Sequence, residues 1–181
     1  MSQIELIEQC KRNDRKAQLH LYRQYCEGMF VVASRFLKHT PDAEDAMQEA
    51  FVNAFQKIDQ YNAEVSFGAW LKKIVINKSL DKLRTKQQYY LSIDEAQLEV
   101  VADEDNWQTS DETTLEEVKT EIEKLPDKYR VVVILFLLEG YDHQEISEIL
   151  DISTTASRTQ LLRGKKKLQQ ALQKRNHGTG Y

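Results

Sequence analysis

Proline and glycine are scarce in this 181-residue chain, with 2 Pro and 6 Gly. An all-β fold needs many turn residues, so the scarcity argues for helices. Cysteine is rarer than a disulfide framework requires: Cys10 and Cys26 are the only two, and a chain of this length needs no stapling. Long apolar runs are missing as well. The longest, Val131 to Leu138 (VVVILFLL), is far short of the ~20 residues that cross a bilayer. Near the start, Glu5 and Glu8 interrupt the one stretch that could have resembled a secretory signal. The expectation is a soluble protein of a reducing compartment, one domain or two small ones.

Charge is present in quantity and unevenly placed. The formal net charge is −4, yet residues 1–92 hold 14 bases and 11 acids, and residues 119–181 hold 11 bases and 8 acids. Between them, residues 93–118 hold 10 acids and no base. Lys72 to Lys86 carries six bases against Asp81 alone, and Ser153 to Arg175 carries seven bases and no acid. A polyanion responds to such local stripes rather than to the net charge. The acidic stretch from Ile93 to Val118 has little periodicity, and repulsion among its carboxylates favours an extended, flexible tether. The expected organisation is a domain at 1–92, an acidic linker at 93–114 and a domain at 115–181.

Local signals place helices in both halves. Ser2 with Glu5 is a capping-box pattern, and Asp14 precedes a helix with Ala17, Leu21 and Tyr25 on one side. Thr40-Pro41 predicts an N-cap followed by proline where its missing N–H costs nothing. The helix that follows, to about Ile58, carries Ala43, Met47, Ala50, Phe51, Ala54 and Ile58 on one face. Ser66 can cap a helix from Phe67 to about Gln88. Leu125-Pro126 opens another through Leu138, and Asp142 with Glu145 starts a short one to Leu150. After the turn Asp151-Ile152-Ser153, Ser153 caps a last helix to about Lys174. Helix, three-residue turn and basic helix make a helix-turn-helix (HTH) pattern in an all-α class.

Three helical faces carry chemistry. Asp42, Asp45 and Glu49 fall within about 60° of one another, opposite the apolar face. That is either a solvated face matched to the helix dipole or a docking surface for a basic partner. Trp70, Lys73, Asn77, Asp81 and Arg84 lie within about 80° of arc. Bases can meet phosphate, Trp can stack and Asn can read a base edge; the alternative is a local Asp81–Arg84 pair beside a half-buried Trp70. The loop before this helix adds Tyr61 and Asn62, a candidate pocket for an unstacked base. On the last helix, Ser157, Leu161, Gly164 and Leu168 form the core stripe. The opposite arc holds Thr155, Thr159, Leu162, Arg163 and Lys166, flanked by Arg158 and Lys165, a set able to enter a major groove. Enzyme chemistry has no footing: there is no phosphate-cradling glycine loop, no HExxH and no Cys-x-x-Cys, and His20, His39, His143 and His177 read as surface or cap residues. No catalytic residue, metal site, cofactor or small-molecule substrate is expected.

Two blocks of sequence then become recognisable. DAEDAMQEAF (Asp42 to Phe51) followed by FGAWLKKIVINKSLDKLR (Phe67 to Arg84) resembles the second conserved region of bacterial sigma factors. LPDKYRVVVILFLLEGYDHQEISEILDIS followed by TTASRTQLLRGKKKL resembles their fourth region. The size and the two domains resemble the extracytoplasmic-function (ECF) subgroup. That resemblance implies a cytoplasmic subunit of RNA polymerase, not inserted in a membrane. Its first domain would bind the clamp coiled coil of core polymerase and open the minus-ten element, and its second would read the minus-thirty-five element. By the resemblance, Asp42, Asp45, Gln48, Glu49 and Phe51 match the polymerase-binding motif. Tyr61 and the loop to Ser66 correspond to the loop that captures a flipped base. Trp70, Asn77, Asp81 and Arg84 match the melting helix, while Arg158, Thr159, Leu162 and Arg163 sit where minus-thirty-five bases are touched. The acidic linker would thread a polymerase channel built for nucleic acid. An anti-sigma factor is the family's habitual further partner. Asp151 stands where the HTH turn usually has Gly, Thr155-Ala156 replaces a common Gly-Thr, and Gln160 takes an often basic place. The competing reading is a stand-alone HTH regulator, which would need neither the Asp42–Glu49 face nor the Trp70–Arg84 stripe.

Overall fold

The computed structural model describes residues 2–85 and 113–178, with side chains described through Arg175. Among them there is no strand, and the chain divides into two compact units, Met1–Gln87 and Gln88–Tyr181. Of the predicted acidic linker at 93–114, residues 93–112 lie outside the described residues. No described helix is long and apolar enough to cross a membrane.

In the first unit, α1 (Gln3–Lys11), α2 (Arg15–Phe36), α3 (Thr40–Gln56) and α4 (Phe67–Thr85) pack chiefly as α2, α3 and α4 against one another, with α1 laid on α2. The caps are those the residues predict. Ser2 Oγ accepts from the Glu5 N–H while the Glu5 carboxylate accepts from the Ser2 N–H, and the Asp14 carboxylate accepts from the N–H groups of Lys16 and Ala17. Each such cap is worth about 1 kcal/mol. The start of α3 differs by one residue from the sequence expectation. His39 is the N-cap, Thr40 is already helical, and no side chain caps the turn. The His39 carbonyl accepts from Asp42 and Ala43, and its imidazole meets the Asp42 carboxylate at 3.1 Å. The helix also ends at Gln56, with Ile58 buried in a short 3₁₀ turn, Ile58–Gln60. The core is the apolar set of these helices, including Leu21, Phe36, Ala43, Ala50, Phe67, Leu71 and Val75. Both cysteines are free thiols. Burial, with Asp14's carboxylate adding to it, pushes the Cys10 thiol up to about 11, so it stays protonated and unreactive at neutral pH.

In the second unit, α5 (Leu115–Lys124) is a helix that the sequence signals do not single out; its first turn overlaps the end of the acidic stretch. Its Thr114–Glu117 capping box is complete, and that bonding holds the Glu117 carboxylate below its usual range. Glu117 and Glu121 face Arg175 at 3.5 and 3.4 Å, tying α5 to the far end of the last helix. The helix after Pro126 is two conformations in series, α6 (Asp127–Val133) and a π-helical turn, Ile134–Leu138. Then come α7 (His143–Leu150) and α8 (Thr154–Gly178), with α8 contacting α5, α6 and α7. Gly164 lets α8 pack tightly against α6: a Cβ there would stand 2.6 Å from Val133 Cγ2.

Candidate nucleic-acid and polymerase interface

Helix α3 presents its carboxylates unequally. Asp45 and Glu49 have side chains 65% and 56% exposed, whereas Asp42 is 15% exposed and engaged by His39. Gln48 is exposed beside them. Phe51 is not part of the surface. It is 3% exposed and packs edge-on against Tyr22 at 4.8 Å, so it serves the core, and its assignment to direct docking is corrected. The reason is geometric: Phe51 continues the Ala43–Met47–Ala50 face that α2 and α4 cover. A depression of about 500 Å³ lies along the open side of α3, walled by Asp45, Gln48, Glu49, the exposed Val52 and Lys78 of α4.

Two lysines of the basic stretch Lys72–Lys86 close that wall. Lys82 Nζ is 3.2 Å from Asp45 and 3.6 Å from Glu49, and Lys78 Nζ is 3.9 Å from Glu49. The sequence reading counted these lysines toward a polyanion patch and missed the pairing. The signal was there: two lysines four apart on α4 match two carboxylates four apart on α3.

On the other side of α4, the expected stripe is open. Lys73, Asn77, Asp81 and Arg84 are exposed and Trp70 is half-buried. Arg84 donates to Asp81 at 3.2 Å, so the local pair exists on the stripe itself. Trp70 belongs to a cluster with Tyr61 at 5.4 Å and Phe67 at 5.6 Å, which Tyr25 extends from α2. The Tyr61 hydroxyl donates to the Val65 carbonyl at 2.8 Å, closing the loop over itself. Asn62 is used within the loop, its Oδ1 accepting from the Glu64 N–H, while Ala63 sits at φ +62°, a conformation costly for a residue with a Cβ. Ser66 caps α4 through the Ala69 N–H as expected. The arrangement is a preformed aromatic shelf at one end of a polar and basic stripe, suited to stacking an unpaired base.

In the second unit, the HTH turn is built on Asp151, which adopts the left-handed conformation (φ 55°, ψ 51°) that glycine favours and aspartate tolerates. The N–H groups of Asp151 and Ile152 both bond to the Ser147 carbonyl, and Ser153 Oγ accepts from Ala156 to start α8. His143, read from sequence as a surface or cap residue, does more. Its Nδ1 lies 2.9 Å from Ser157 Oγ, joining the two helices of the motif, and its ring stacks on Phe136. Thr155, Arg158, Arg163 and Lys166 are exposed on α8 and Leu162 is half-buried. Thr159 is 5% exposed, which corrects its placement on the reading face. It lies one turn from the buried Ala156, on a flank that a wheel with a single core stripe leaves open. Among the described residues no three His, Cys, Asp or Glu side chains form a metal-binding group.

Comparison with known proteins assigns a family to each unit. Residues 21–89 match the family model of sigma-70 region 2, and residues 115–168 match that of sigma-70, region 4. The ECF RNA polymerase sigma factor SigW of Bacillus subtilis is 32% identical over 178 residues, covering 92% of this chain and 94% of that protein. The ECF RNA polymerase sigma-E factor of Escherichia coli is 26% identical, with 93% of each chain covered. Among solved structures, the fold resembles the sigma factor RpoE, solved with the anti-sigma factor NepR from Bartonella quintana, at a TM-score of 0.57 and 19% identity over 85% of this chain and 95% of that one. It also resembles CnrH, solved with the cytosolic domain of CnrY, at a TM-score of 0.54 and 22% identity over 93% and 95%. With a region 2 match on the carboxylate and aromatic faces, a region 4 match on the HTH, and a relative alike along nearly its whole length, the chain belongs to the ECF RNA polymerase sigma factors, which direct transcription initiation and are not themselves enzymes.

Proposed function

We propose that the two exposed faces of the first unit and the basic face of α8 divide the work of initiation in a residue-specific way. Asp45, Gln48 and Glu49 dock on core RNA polymerase, with Asp42 supporting the helix start from beside His39. Trp70 and Tyr61 stack an unpaired base of the minus-ten element, and Asn62, Lys73, Asn77, Asp81 and Arg84 contact the opened strand around it. Thr155, Arg158, Leu162, Arg163 and Lys166 meet the minus-thirty-five duplex, with arginine on guanine or phosphate and Leu162 against a thymine methyl. Strand opening then draws on binding energy alone: unstacking a base costs a few kcal/mol, which the aromatic shelf offsets.

The domain boundaries 1–92, 93–114 and 115–181 and a cytoplasmic location belong to this reading, as does a chain that needs no cofactor and performs no catalysis itself. So does inhibition by a protein partner, a role supported by the relatives solved with NepR and with the cytosolic domain of CnrY.

The observation that carries the reading is the pairing, in one small unit, of an open carboxylate face on α3 with the Tyr61–Trp70 shelf at the start of α4. A stand-alone HTH regulator has use for neither. Co-elution of the purified protein with sigma-free bacterial core polymerase at moderate salt tests it. A stoichiometric complex is the expected result. A folded, inhibitor-free protein that elutes apart from core would leave the HTH regulator standing.

A further inference from the structure

We infer that Lys82, with Lys78 beside it, is a built-in competitor at the α3 docking face and thereby a specificity-determining residue for polymerase binding; the inference rests on the docking role just given to Asp45 and Glu49. Lys82 Nζ stands between the two carboxylates, 3.2 Å from Asp45 Oδ2 and 3.6 Å from Glu49 Oε1, and Lys78 Nζ is 3.9 Å from Glu49 Oε2. The carboxylates stay open, at 65% and 56% exposure, while the Lys82 and Lys78 side chains are mostly covered, at 21% and 32%. The anionic groups therefore face outward with their counter-ions held behind them.

A cation arriving on Asp45 or Glu49 must share oxygens with Lys82 or displace it. Carboxylates one helical turn apart repel each other, and the ammonium group between them relieves that repulsion. It also lowers the negative potential the face shows at a distance, so loosely fitting polycations gain little by approaching. A partner wins only where its own cation is better placed than Lys82, which is discrimination by an internal rival rather than by an added contact. Lys82 does this from the opposite side of the helix to the Trp70–Arg84 stripe, so its charge is committed to α3 and not to the DNA-reading face.

The test is a titration of the full-length protein against sigma-free bacterial core RNA polymerase at low and moderate salt. Lys82→Met keeps the length of the stem and removes the charge. It is expected to lower Kd roughly three-fold at low salt, with the gain shrinking as salt rises. Lys82→Arg is expected to stay near wild type. In an Asp45→Asn/Glu49→Gln background, Lys82→Met is expected to change nothing, because the carboxylates it releases are gone. Unchanged or weaker binding by a Lys82→Met protein with wild-type circular dichroism overturns the inference. So does a gain that persists without the two carboxylates, which would mark a general charge effect. Should Lys82→Met fail to fold, Lys78→Met on the more exposed lysine asks the same question, with the same direction and a smaller shift expected. Failure of the docking reading itself is distinguishable: wild type would then not bind core polymerase at all.

Discussion

Helix α4 is held by α2 and α3, whereas α8 is held by α5, α6 and α7, and the two consequently expose different amounts of themselves. Along α4, a polar and aromatic stripe from Trp70 to Arg84 stays accessible over four turns while Leu71, Val75, Ile76 and Leu80 fill the core. At the start of α8, Ala156, Ser157, Thr159 and Leu161 are all buried, and the outward arc narrows to Thr155, Arg158, Leu162, Arg163 and Lys166. The two basic helices thus offer different surfaces, a long open stripe on α4 and a narrower arc on α8. A flexible single strand suits the long open stripe with its aromatic shelf. A rigid duplex groove suits the narrower face, fixed in direction by the His143–Ser157 bond and the Asp151 turn.

The sharpest way to separate the two units is at Gly164. A valine there has no room against Val133, so Gly164→Val is expected to cost about 3 kcal/mol in the second unit. Urea unfolding followed by a probe in each unit should show the first transition unmoved, and a joint shift would mean the units do not unfold independently. Trp70→Ala should remove the shelf and reduce promoter opening about 30-fold, at roughly 2 kcal/mol for a lost stacking partner. Permanganate reactivity of minus-ten thymines would report it, with duplex minus-thirty-five binding unchanged. Arg163→Ala is expected to reduce discrimination of promoter from scrambled duplex about ten-fold while core binding persists, in a competition assay at fixed salt. Thr159→Val tests the correction at that position. A buried threonine should lose about 1 kcal/mol of stability with its base preference intact, and altered sequence selectivity would return Thr159 to the reading face. The smallest effect is expected at Gly28, in the middle of α2 with nothing within 4 Å of an added Cβ. Gly28→Ala should stabilise the first unit by about 0.8 kcal/mol, unless a partner's backbone approaches there and polymerase binding falls instead.

What was legible in the sequence followed from how local its cause is. Capping at Ser2, Asp14, Ser66, Asp142 and Ser153 depends on two or three adjacent residues, and all five act as caps. The stripe on α4 was legible because one side of that helix is apolar throughout. Helix α5 was hidden because its capping box sits at the end of a run of acids whose composition resembled an unstructured tether. Phe51 is legible as core from its place on the apolar face of α3, although its motif position groups it with the docking residues, whereas Thr159 falls on the outward arc by wheel angle and is nevertheless buried. The Lys82 pairing crosses between helices, so only the matching four-residue spacings betray it.

The π turn at Ile134–Leu138 has a consequence for the HTH as a whole. A π turn holds one residue more than the α turn it replaces. Each residue of an α-helix advances the chain by about 100° around the axis. Deleting one residue between Ile134 and Leu138 would therefore rewind the segment to α-helix and swing Gly140, Tyr141 and the start of α7 to a new azimuth. The surplus residue acts as an angular spacer: it sets the bearing on which the HTH leaves α6, and with it the direction in which α8 faces.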